Sequence, residues 1–380
     1  MPAAHDAPTA TVVGAGVFGA AVADALARRG WAVTIVEQFS SANARGSSGD
    51  RTRLLRHGHG DGPAEADLHY IRSAARGIAL WHQISESEDV ELTQRTGLVW
   101  LAREPAEVEL RVAARLTDAG IAHDRLEVDE VRKLFPDVSV DDLAFGLWEP
   151  EAWVIRAGLA VETLMARARR HGAQLILDRA VPAGDGAVQL LAGERRLSSD
   201  VVVWACGAWL GRLLPADAPV RPSWQDVLHW STPPAWRDGP AWFDEREGLY
   251  GFPDVDGLGA KAVSHIPGPE FDLERDARSP RAQSVEDMTS YMARRFPALA
   301  GSGLLWARVM PYEMTPDHHF VVGRSELGDR TWLLGGGSGH GFKHAPALGE
   351  HLADLIEERD TPVAMWAPGP RRAVPVPATT

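Results

Sequence analysis

The chain has 380 residues, 45% of them hydrophobic and 24% charged, a composition typical of a globular protein with material for about two domains. Acidic residues outnumber basic ones by 52 to 39. The resulting net charge of −13 argues against general binding of nucleic acid or anionic membranes, since both require clustered lysine and arginine. The single cysteine, Cys206, excludes an intramolecular disulfide and a cysteine-rich zinc site.

The N-terminal segment has no basic flank and no apolar stretch, so no secretory signal is predicted. No apolar run approaches the roughly 20 residues that cross a bilayer. We therefore expect a cytoplasmic protein without a membrane partner.

The first 40 residues predict a strand, a glycine-rich turn, a helix and a second strand. A β-branched run over 11–14 ends in glycine, helical periodicity follows over 17–29, and an apolar strand covers 31–37. Residues 40–62 are rich in glycine, serine and arginine and are predicted to be mostly loop. This order is typical of a β–α–β unit.

Later segments alternate between helical and strand patterns. Helices are expected over 68–84, 105–119, 157–171, 285–296 and from the glycines near 341 to about 358. Strands are expected over 92–103 (as strand–turn–strand), 174–178, 186–192, 197–206 and 332–335, with a hairpin turn at 193–195.

The turn after the first strand carries the spacing G-x-G-x-x-G. Gly14 permits the tight turn, Gly16 leaves room for a pyrophosphate, and Gly19 allows close packing of helix on strand. The helix N-terminus favours phosphate, and Glu37 is placed to accept from ribose hydroxyls. The simpler alternative is a packing unit without a ligand. The fingerprint does not separate NAD from FAD, although Glu37 argues against the 2′-phosphate of NADP.

Four further blocks resemble those of a known family. They are residues 46–56 (GSSGDRTRLLR), 249–253 with 259–261, 312–320, and 337–343 (GSGHGFK). In order and spacing they are similar to monomeric sarcosine oxidase and N-methyltryptophan oxidase, a branch of the D-amino-acid-oxidase-like flavoenzymes. The resemblance spans about residues 8–360 and implies FAD rather than NAD.

The resemblance also implies the architecture. It is an α/β chain, α+β overall, in which a discontinuous Rossmann-type FAD-binding domain joins a substrate domain built on an antiparallel sheet. The expected bounds are 1–90, 145–220 and 310–365 for the FAD-binding domain, 91–144 and 221–309 for the substrate domain, and 366–380 for a flexible tail. A monomer is expected.

The activity implied is FAD-dependent oxidation of a secondary or cyclic amine that carries a carboxylate. A hydride equivalent moves from the α-carbon to flavin N5 and O2 reoxidises the flavin to give H2O2, so the cofactor supplies the chemistry without a metal or a protein nucleophile. The partners are then a small amine and O2. The alternatives are a dehydrogenase or oxidase of a non-amine or natural-product substrate, and a flavin-binding protein without catalysis.

Four cations match family positions. Arg56 and Lys343 match the pair that holds the substrate carboxylate, since arginine suits bidentate recognition and lysine acts as a point charge. Lys261 matches the lysine beside flavin N5 that assists oxygen, because a fixed positive charge stabilises superoxide. Arg53 is expected beside the flavin. Without the resemblance, Arg56 and Lys343 would be interpreted as solvated surface cations and Lys261 as an outward-facing strand residue.

Tyr250, His265 and Tyr312 match positions that touch the substrate, although a lone histidine is equally compatible with a structural role. The loop 336–341 brings backbone N–H groups toward the flavin pyrimidine edge, which gains negative charge on reduction. The residues expected to contact FAD are Gly14, Gly16, Val17, Phe18, Gly19, Glu37, Ser47, Arg53, Val181, Gly207, Trp209, Met310, Gly337, Gly339, His340, Gly341, Phe342 and Lys343.

Three positions depart from the family pattern. Met310 stands where the family carries the cysteine that bonds the flavin, and Gly49 where it carries a histidine. A methionine thioether has no proton to lose and cannot form that bond, so FAD is predicted to be held non-covalently. Trp153 is bulky where the family has small residues, which leaves the size of the substrate open.

No metal site is predicted. His57, His59 and the pair His318–His319 have no carboxylate or thiolate at a ligand spacing and are expected to be solvated loop histidines. Cys206 ends a predicted buried strand and is expected to be a small core residue.

Overall fold

The computed structural model describes residues 7–60, 62–184, 186–326 and 328–373. The helices in this part of the chain are α1 (Val17–Arg28), α2 (Ala64–Ser87), α3 (Glu107–Ala119), α4 (Val128–Leu134), α5 (Ala157–Arg170), α6 (Leu210–Leu213), α7 (Ala282–Arg295) and α8 (Ala345–Ile356). The strands are β1 (Thr9–Val13), β2 (Ala32–Glu37), β3 (Thr52–Leu55), β4 (Thr93–Arg95), β5 (Leu98–Ala102), β6 (Asp124–Leu126), β7 (Phe145–Glu149), β8 (Trp153–Arg156), β9 (Gln174–Leu177), β10 (Ala180–Pro182), β11 (Val188–Leu190), β12 (Arg196–Leu197), β13 (Val201–Trp204), β14 (Arg221–Trp230), β15 (Ala241–Asp244), β16 (Leu249–Phe252), β17 (Ala260–Ser264), β18 (Leu304–Met314), β19 (Val321–Arg324) and β20 (Thr331–Gly335).

The first of the two main sheets is the parallel sheet, in the order β19–β20–β13–β1–β2–β9. Its neighbours run parallel except for β19, which is antiparallel to β20. Helix α1 packs between this sheet and helices α5 and α8, and it is buried from Val17 to Ala27. A Cβ at Gly349 of α8 would lie 2.7 Å from the Ala21 carbonyl carbon, so small residues permit the close approach of the helices. The predicted β–α–β unit is confirmed.

The second main sheet, here called the long sheet, has the order β18–β14–β17–β16–β15–β5–β7–β6. Every neighbouring pair is antiparallel except β15 and β5. Three tryptophans, Trp230, Trp236 and Trp242, are each at most 1% exposed and pack in one cluster with residues of α7. The predicted antiparallel sheet is confirmed, and these tryptophans fill its core.

The arginine loop (residues 46–56) lies between the two main sheets. It was predicted to be mostly loop, but β3 forms within it and pairs antiparallel with β8, with Leu54 opposite Val154. The partner strand is remote in sequence, so no local pattern signals this pairing. The strand fixes the direction in which the arginine side chains of the loop project.

Helix α2 packs against α8 and the turn that precedes it. Its buried side includes Tyr70, Ala74 and Trp81, and a Cβ at Gly77 would lie 2.2 Å from the carbonyl oxygen of Lys343. The absence of a side chain at Gly77 therefore lets the turn that carries Lys343 settle on the helix. Neither α2 nor any other helix of the described residues is long and apolar enough to cross a membrane.

The predicted domain bounds stay a prediction. The bound at 145 coincides with the start of β7 and the bound at 310 falls within β18, and both strands lie in the long sheet. A division that follows the sheets would assign 145–149 and 310–314 to the substrate domain.

The expectation of a flexible tail from residue 366 is wrong for residues 366–373. Trp366 is 3% exposed, and its Nε1 donates to the Tyr70 hydroxyl at 3.1 Å. Arg371 is 5% exposed and forms an ion pair at 3.0 Å. These partners are distant in sequence, so the proline-rich composition conceals them. Residues 374–380 lie outside the described residues.

Candidate active site

A cavity of about 350 Å³ opens beside the carboxyl ends of β1 and β13, against the N-terminus of α1. This space, here called the nucleotide cavity, is bounded among others by Gly14, Gly16, Glu37, Ser47, Cys206, Trp209 and Glu313. Its position at the carboxyl edge of a parallel sheet is where nucleotides bind in doubly wound folds.

The glycines of the fingerprint are required by close backbone contacts. Gly14 has φ +106°, and a Cβ there would lie 2.3 Å from the carbonyl oxygen of Ala205. A Cβ at Gly19 would lie 1.9 Å from the Gly14 oxygen, so the helix packs directly on its own turn. The N–H of Val17 donates to Ser48 Oγ at 3.0 Å, which ties the arginine loop to the helix N-terminus. The N-terminus of α1 is therefore held at the nucleotide cavity, a position that favours phosphate.

Glu37 is held in the wall of the nucleotide cavity. Its Oε2 accepts from the Ala15 N–H at 2.9 Å and its Oε1 accepts from the Phe39 N–H at 2.9 Å. Burial raises the pKa of this carboxyl, which is only 6% exposed. Two fixed backbone donors orient the carboxyl at the cavity wall, as the ribose role requires.

The nucleotide cavity brings together half of the predicted cofactor residues. Those that line it are Gly14, Gly16, Val17, Phe18, Glu37, Ser47, Val181, Gly207 and Trp209. The others, Gly19, Arg53, Met310, Gly337, Gly339, His340, Gly341, Phe342 and Lys343, lie outside its lining. The two sets meet at Phe18, because a Cβ at Gly337 or Gly341 would lie 3.4 or 2.6 Å from its ring.

Several lining residues were missed by the sequence reasoning. Ser48, Arg179, Arg212 and Glu313 all line the nucleotide cavity. Only Ser48 had a usable signal, since it follows a predicted contact within the same loop. Glu313 lies on the long sheet, and no pattern in its own strand points toward a nucleotide.

The prediction that Cys206 is a core residue is confirmed only in part, because Cys206 packs at the edge of a core cluster and also lines the nucleotide cavity. The residue is partly buried, and its Sγ donates to Val13 O at 3.3 Å. The strand β13 ends before it, at Trp204, so the chain has already turned toward the cavity. Burial raises the pKa of the thiol, with the charges of Glu37 and Glu313 acting in the same direction.

Arg56, the first predicted carboxylate ligand, lies against a pair of aromatic rings, Trp100 and Phe243, whose centres are 4.4 Å apart. Its guanidinium carbon lies 4.8 Å from the ring centres of both Trp100 and Phe243. Its Nη1 also donates to the carbonyl oxygen of Gly58. Cation–π contact with both rings holds the guanidinium in place, and its other N–H groups can still hydrogen-bond an acid. The alternative of a solvated surface cation is wrong for this residue.

Lys343, the second predicted carboxylate ligand, is 4% exposed, so the surface alternative is wrong here too. Its Nζ lies 3.4 Å from the His340 carbonyl oxygen. Burial lowers the pKa values of His59 and His340, and the positive charges of Lys343 and Arg56 both lower them further. Both cations therefore influence the same pair of imidazoles, whose ring centres lie 5.3 Å apart.

The expectation of solvated loop histidines is wrong. His57 is 7% exposed, His59 is largely buried, and the pair at 318–319 is half-buried. Glu149 holds the backbone of His57 inside the protein. Its Oε2 accepts from the N–H of His57 and of the next residue at 3.0 Å each, and its Oε1 accepts from Trp100 Nε1 at 2.8 Å. Among the described residues, no group of three or more His, Cys, Asp or Glu is placed to hold a metal ion.

Phe243 of β15 joins the predicted substrate residues, and the sequence reasoning missed it. Besides Arg56, its ring lies 6.0 Å from Tyr250 in a stacked arrangement and 4.9 Å from the ring of His265. His265 also faces Glu245 at 3.4 Å. Phe243 follows Trp242 in a short apolar strand, and its role shows only once neighbouring strands are paired.

Tyr250 and Tyr312 form a pair beside Phe243. The hydroxyl oxygens of Tyr250 and Tyr312 lie 3.2 Å apart, and burial raises the pKa of both groups. A Cβ at Gly339 would lie 2.9 Å from the Tyr312 ring, and Gly339 has φ +79°. The glycine therefore brings the predicted flavin-contacting turn against the tyrosine pair.

Lys261 belongs to a separate buried ion cluster, here called the Asp50 cluster, which consists of Asp50, Lys261 and Arg53. Lys261 is 1% exposed, so the outward-facing alternative is wrong. Its Nζ donates to Asp50 Oδ2 and, at 2.8 Å, to Thr52 O, and Arg53 Nη1 donates to the same carboxylate oxygen at 2.6 Å. Burial would raise the pKa of Asp50, but the two cations outweigh it and hold that pKa below its ordinary value.

The positions that depart from the family pattern have structural reasons. Arg53 Nη2 donates to Met310 Sδ at 3.2 Å, so the methionine packs on the Asp50 cluster. A Cβ at Gly49 would lie 1.8 Å from Asn43 O, which excludes any side chain there. Trp153 packs edge-on against His82 at 4.5 Å and joins the core under α2.

The comparison with known families decides the identity. A model described as FAD dependent oxidoreductase (DAO) matches residues 9–355. The chain belongs to this family. The predicted family and fold class are thereby confirmed, and FAD is the cofactor of this oxidoreductase.

Individual relatives align with nearly the whole chain of this FAD-dependent oxidoreductase. It is 31% identical to monomeric sarcosine oxidase of Streptomyces avermitilis over 97% of this chain and 98% of that protein. It is 28% identical to N-methyl-L-tryptophan oxidase of Salmonella arizonae over 92% of this chain and 94% of that protein. The solved structure of L-proline dehydrogenase from P. horikoshii has the same fold, with a TM-score of 0.82, 22% identity and coverage of 94% and 96%.

The residues of this oxidoreductase fit FAD. Gly14 and Gly16 line the nucleotide cavity at the N-terminus of α1, where phosphate is favoured. Glu37 is fixed next to this turn by the Ala15 N–H, where it would accept from the ribose hydroxyls. The nucleotide cavity would thus hold the ADP half, and the turn at 337–341 would receive the flavin half.

We expect Asp50→Asn to lower the free energy of unfolding by about 3–5 kcal/mol, because it leaves Lys261 and Arg53 buried without their counter-charge. The measurement is denaturant unfolding of the purified protein. The double variant Asp50→Asn with Lys261→Met should lose less than Asp50→Asn alone. Asp129→Asn, in an exposed ion pair, is the control and should change stability by less than about 0.5 kcal/mol. An Asp50→Asn protein as stable as the wild type would contradict the buried charge balance.

Proposed function

We propose that this FAD-dependent oxidoreductase oxidises a secondary or cyclic amine that carries a carboxylate, of the N-alkyl amino acid type, and passes the electrons to O2 with release of H2O2. The observation that carries the proposal is the placement of two cations near the His59–His340 ring pair: Arg56 lies against Trp100 and Phe243, and the buried Lys343 has its Nζ 3.4 Å from His340 O. When bound, FAD supplies the acceptor for the hydride equivalent, and the protein supplies binding and orientation.

Arg56 and Lys343 would hold the carboxylate. Contact with the Trp100–Phe243 pair and the bond to Gly58 O restrain the guanidinium, so less side-chain entropy is lost when the acid binds. Lys343 adds a point charge from a buried position, where attraction to an anion is stronger than in water. Together they would set the orientation of the α-carbon.

The remaining wall is aromatic. Phe243 contacts Arg56, and Tyr250 and Tyr312 adjoin it; both phenols remain protonated at neutral pH because burial raises their pKa. They would offer an apolar surface for the alkyl group of the substrate and hydroxyl donors at its edge. The tyrosine pair touches the turn at Gly339, which would put the substrate against the flavin.

The two relatives named above support this substrate class. Their names, sarcosine oxidase and N-methyl-L-tryptophan oxidase, both denote oxidation of N-methyl amino acids. The two substrates differ greatly in size, so the relatives support the N-alkyl amino acid class and leave its side chain open.

A dehydrogenase of the same substrate class is the second candidate. The charge of Lys261, which would assist oxygen, is compensated by the Asp50 carboxylate at direct contact. This pairing weakens the positive electrostatic field of Lys261, which would favour electron transfer to O2. The structure named L-proline dehydrogenase has the same fold.

We expect anaerobic addition of N-methyl amino acids to bleach the oxidised flavin band, and the matching amines without a carboxylate to need far higher concentrations. Arg56→Ala and Lys343→Ala should each weaken binding of a carboxylate inhibitor by about 1.5–3 kcal/mol, the scale of a charge-assisted hydrogen bond. The exposed cation Lys133→Ala is the control and should bind normally. Unchanged inhibitor affinity in both variants would refute the proposal that Arg56 and Lys343 hold the carboxylate.

Stopped-flow measurements should show whether Lys261 acts in flavin reduction or in reoxidation by O2. We expect Lys261→Met to leave anaerobic flavin reduction largely intact and to slow reoxidation by O2, because the charge beside the flavin is lost. Equal slowing of both half-reactions would point to a structural role. Reduced wild-type protein that reoxidises no faster than free flavin would favour the dehydrogenase.

We further propose that FAD is held without a covalent bond. Cys206, the single thiol in the sequence, lines the nucleotide cavity, and Met310 packs against Arg53. Precipitation with trichloroacetic acid should therefore release yellow FAD and leave a colourless pellet. The Cys206→Ala variant, which lacks any thiol, should behave identically. An intact mass raised by one FAD would contradict the proposal.

A further inference from the structure

Glu313 is a buried carboxyl in the wall of the nucleotide cavity that neither the glycine fingerprint nor the resemblance assigns. It lies on β18 and is 8% exposed. It lines the same cavity as Gly16, Val17, Gly207 and Glu37. A second acidic side chain therefore borders a cavity that must accept a pyrophosphate.

Three consecutive glycines make room for this carboxyl. The Gly336 N–H donates to Glu313 Oε2 at 3.2 Å, and the Gly337 N–H also bonds to the carboxyl. A Cβ at Gly335 would lie 3.4 Å from Oε2, and one at Gly337 would lie 2.8 Å from Oε1. The carboxyl is thus built into the start of the turn that would receive the flavin.

The surroundings offer Glu313 no compensating cation at close range within the described residues. Burial raises its pKa to about 7, and only the two backbone N–H bonds act against that rise. The titratable and charged groups that face it from neighbouring elements or across the nucleotide cavity are Cys206, Tyr312, Arg221, Glu37, Asp178, Arg179 and Arg212. Among the ion pairs of the described residues, none includes Glu313, in contrast to the Asp50 cluster.

FAD would add negative charge to this site. Its pyrophosphate carries two negative charges at the N-terminus of α1, in the same cavity as Glu313. A like charge in a poorly hydrated space disfavours the ionised form of a carboxyl. We propose that Glu313 takes up a proton from solvent when FAD binds, so that this one side chain links cofactor affinity to pH.

The direction of the pH dependence of FAD affinity follows from the thermodynamic linkage between proton binding and FAD binding. Below the pKa of Glu313 in the free protein the carboxyl is already neutral, and FAD affinity is independent of this group. Above it, binding must include protonation, so the dissociation constant of FAD rises by up to about tenfold per pH unit for one proton. Reciprocally, bound FAD raises the proton affinity of Glu313.

The experiment measures the dissociation constant of FAD by quenching of flavin fluorescence, with apoprotein stripped of its cofactor, from pH 6 to pH 9. We expect the wild-type constant to rise more than tenfold between pH 7 and pH 9, with a limit of about 100-fold for one proton. Glu313→Gln, a neutral isostere, should flatten this rise to about threefold or less and bind FAD more tightly than the wild type at pH 9. The exposed Glu286→Gln is the matched control and should keep the wild-type slope.

A second measurement needs no variant. Titration calorimetry of the wild type at pH 8, in two buffers of different ionisation enthalpy, should show uptake of close to one proton per FAD bound. The inference rests on FAD binding in this cavity. FAD binding with the same pH slope in the wild type and Glu313→Gln, or without proton uptake, would overturn the inference alone. Failure of the wild type to bind FAD at pH 6 would overturn the cofactor assignment with it.

Discussion

The buried charge of Asp50 is the constraint on which the arrangement of the site depends. A carboxylate without exposed surface must be paired, and Asp50 is paired with Lys261 from the long sheet and Arg53 from the arginine loop. Satisfying this one group fixes the loop against the sheet. The same loop caps α1 through Ser48 and bonds Pro311 O through Ser47, so the nucleotide cavity and the long sheet share one set of contacts.

The cations of the site then fall into two groups with different electrostatic states. Arg56 and Lys343 both act on the imidazoles of His59 and His340, whose pKa values are lowered by burial and by the two cations. Lys261 and Arg53 face a carboxylate. The first group suits the capture of an anionic substrate, whereas the second holds its charge in balance beside the Tyr250–Tyr312 pair. This separation explains how one site can contain many basic residues in a chain of net charge −13 without becoming a general anion binder.

Close backbone approaches fix where the chain segments meet. At Gly49 and Gly77 a Cβ would overlap a carbonyl oxygen, and at Gly337 and Gly339 it would meet Glu313 or Tyr312. Gly49 lets the chain fold back onto the nearby Asn43, the other three bring together segments from different parts of the chain, and Gly337 leaves room for the carboxyl of Glu313. Glu37 and Glu313 differ in their donors, since Glu37 accepts from the backbone beside the first glycines and Glu313 accepts from the turn that begins at Gly336.

The sequence by itself determined the nucleotide unit and the family. The strand, glycine turn, helix and acid of residues 9–37 form through contacts within one short segment, so their spacing alone predicts them. The block resemblances extended this to the antiparallel sheet and to FAD. Only the tertiary structure decided the burial of Lys261, the central place of Phe243, the acid at Glu313, the cavity position of Cys206 and the packing of Trp366. Each of these depends on partners more than a hundred residues away or on strand pairing, and a buried charge or ring has no local periodicity that would reveal its partner.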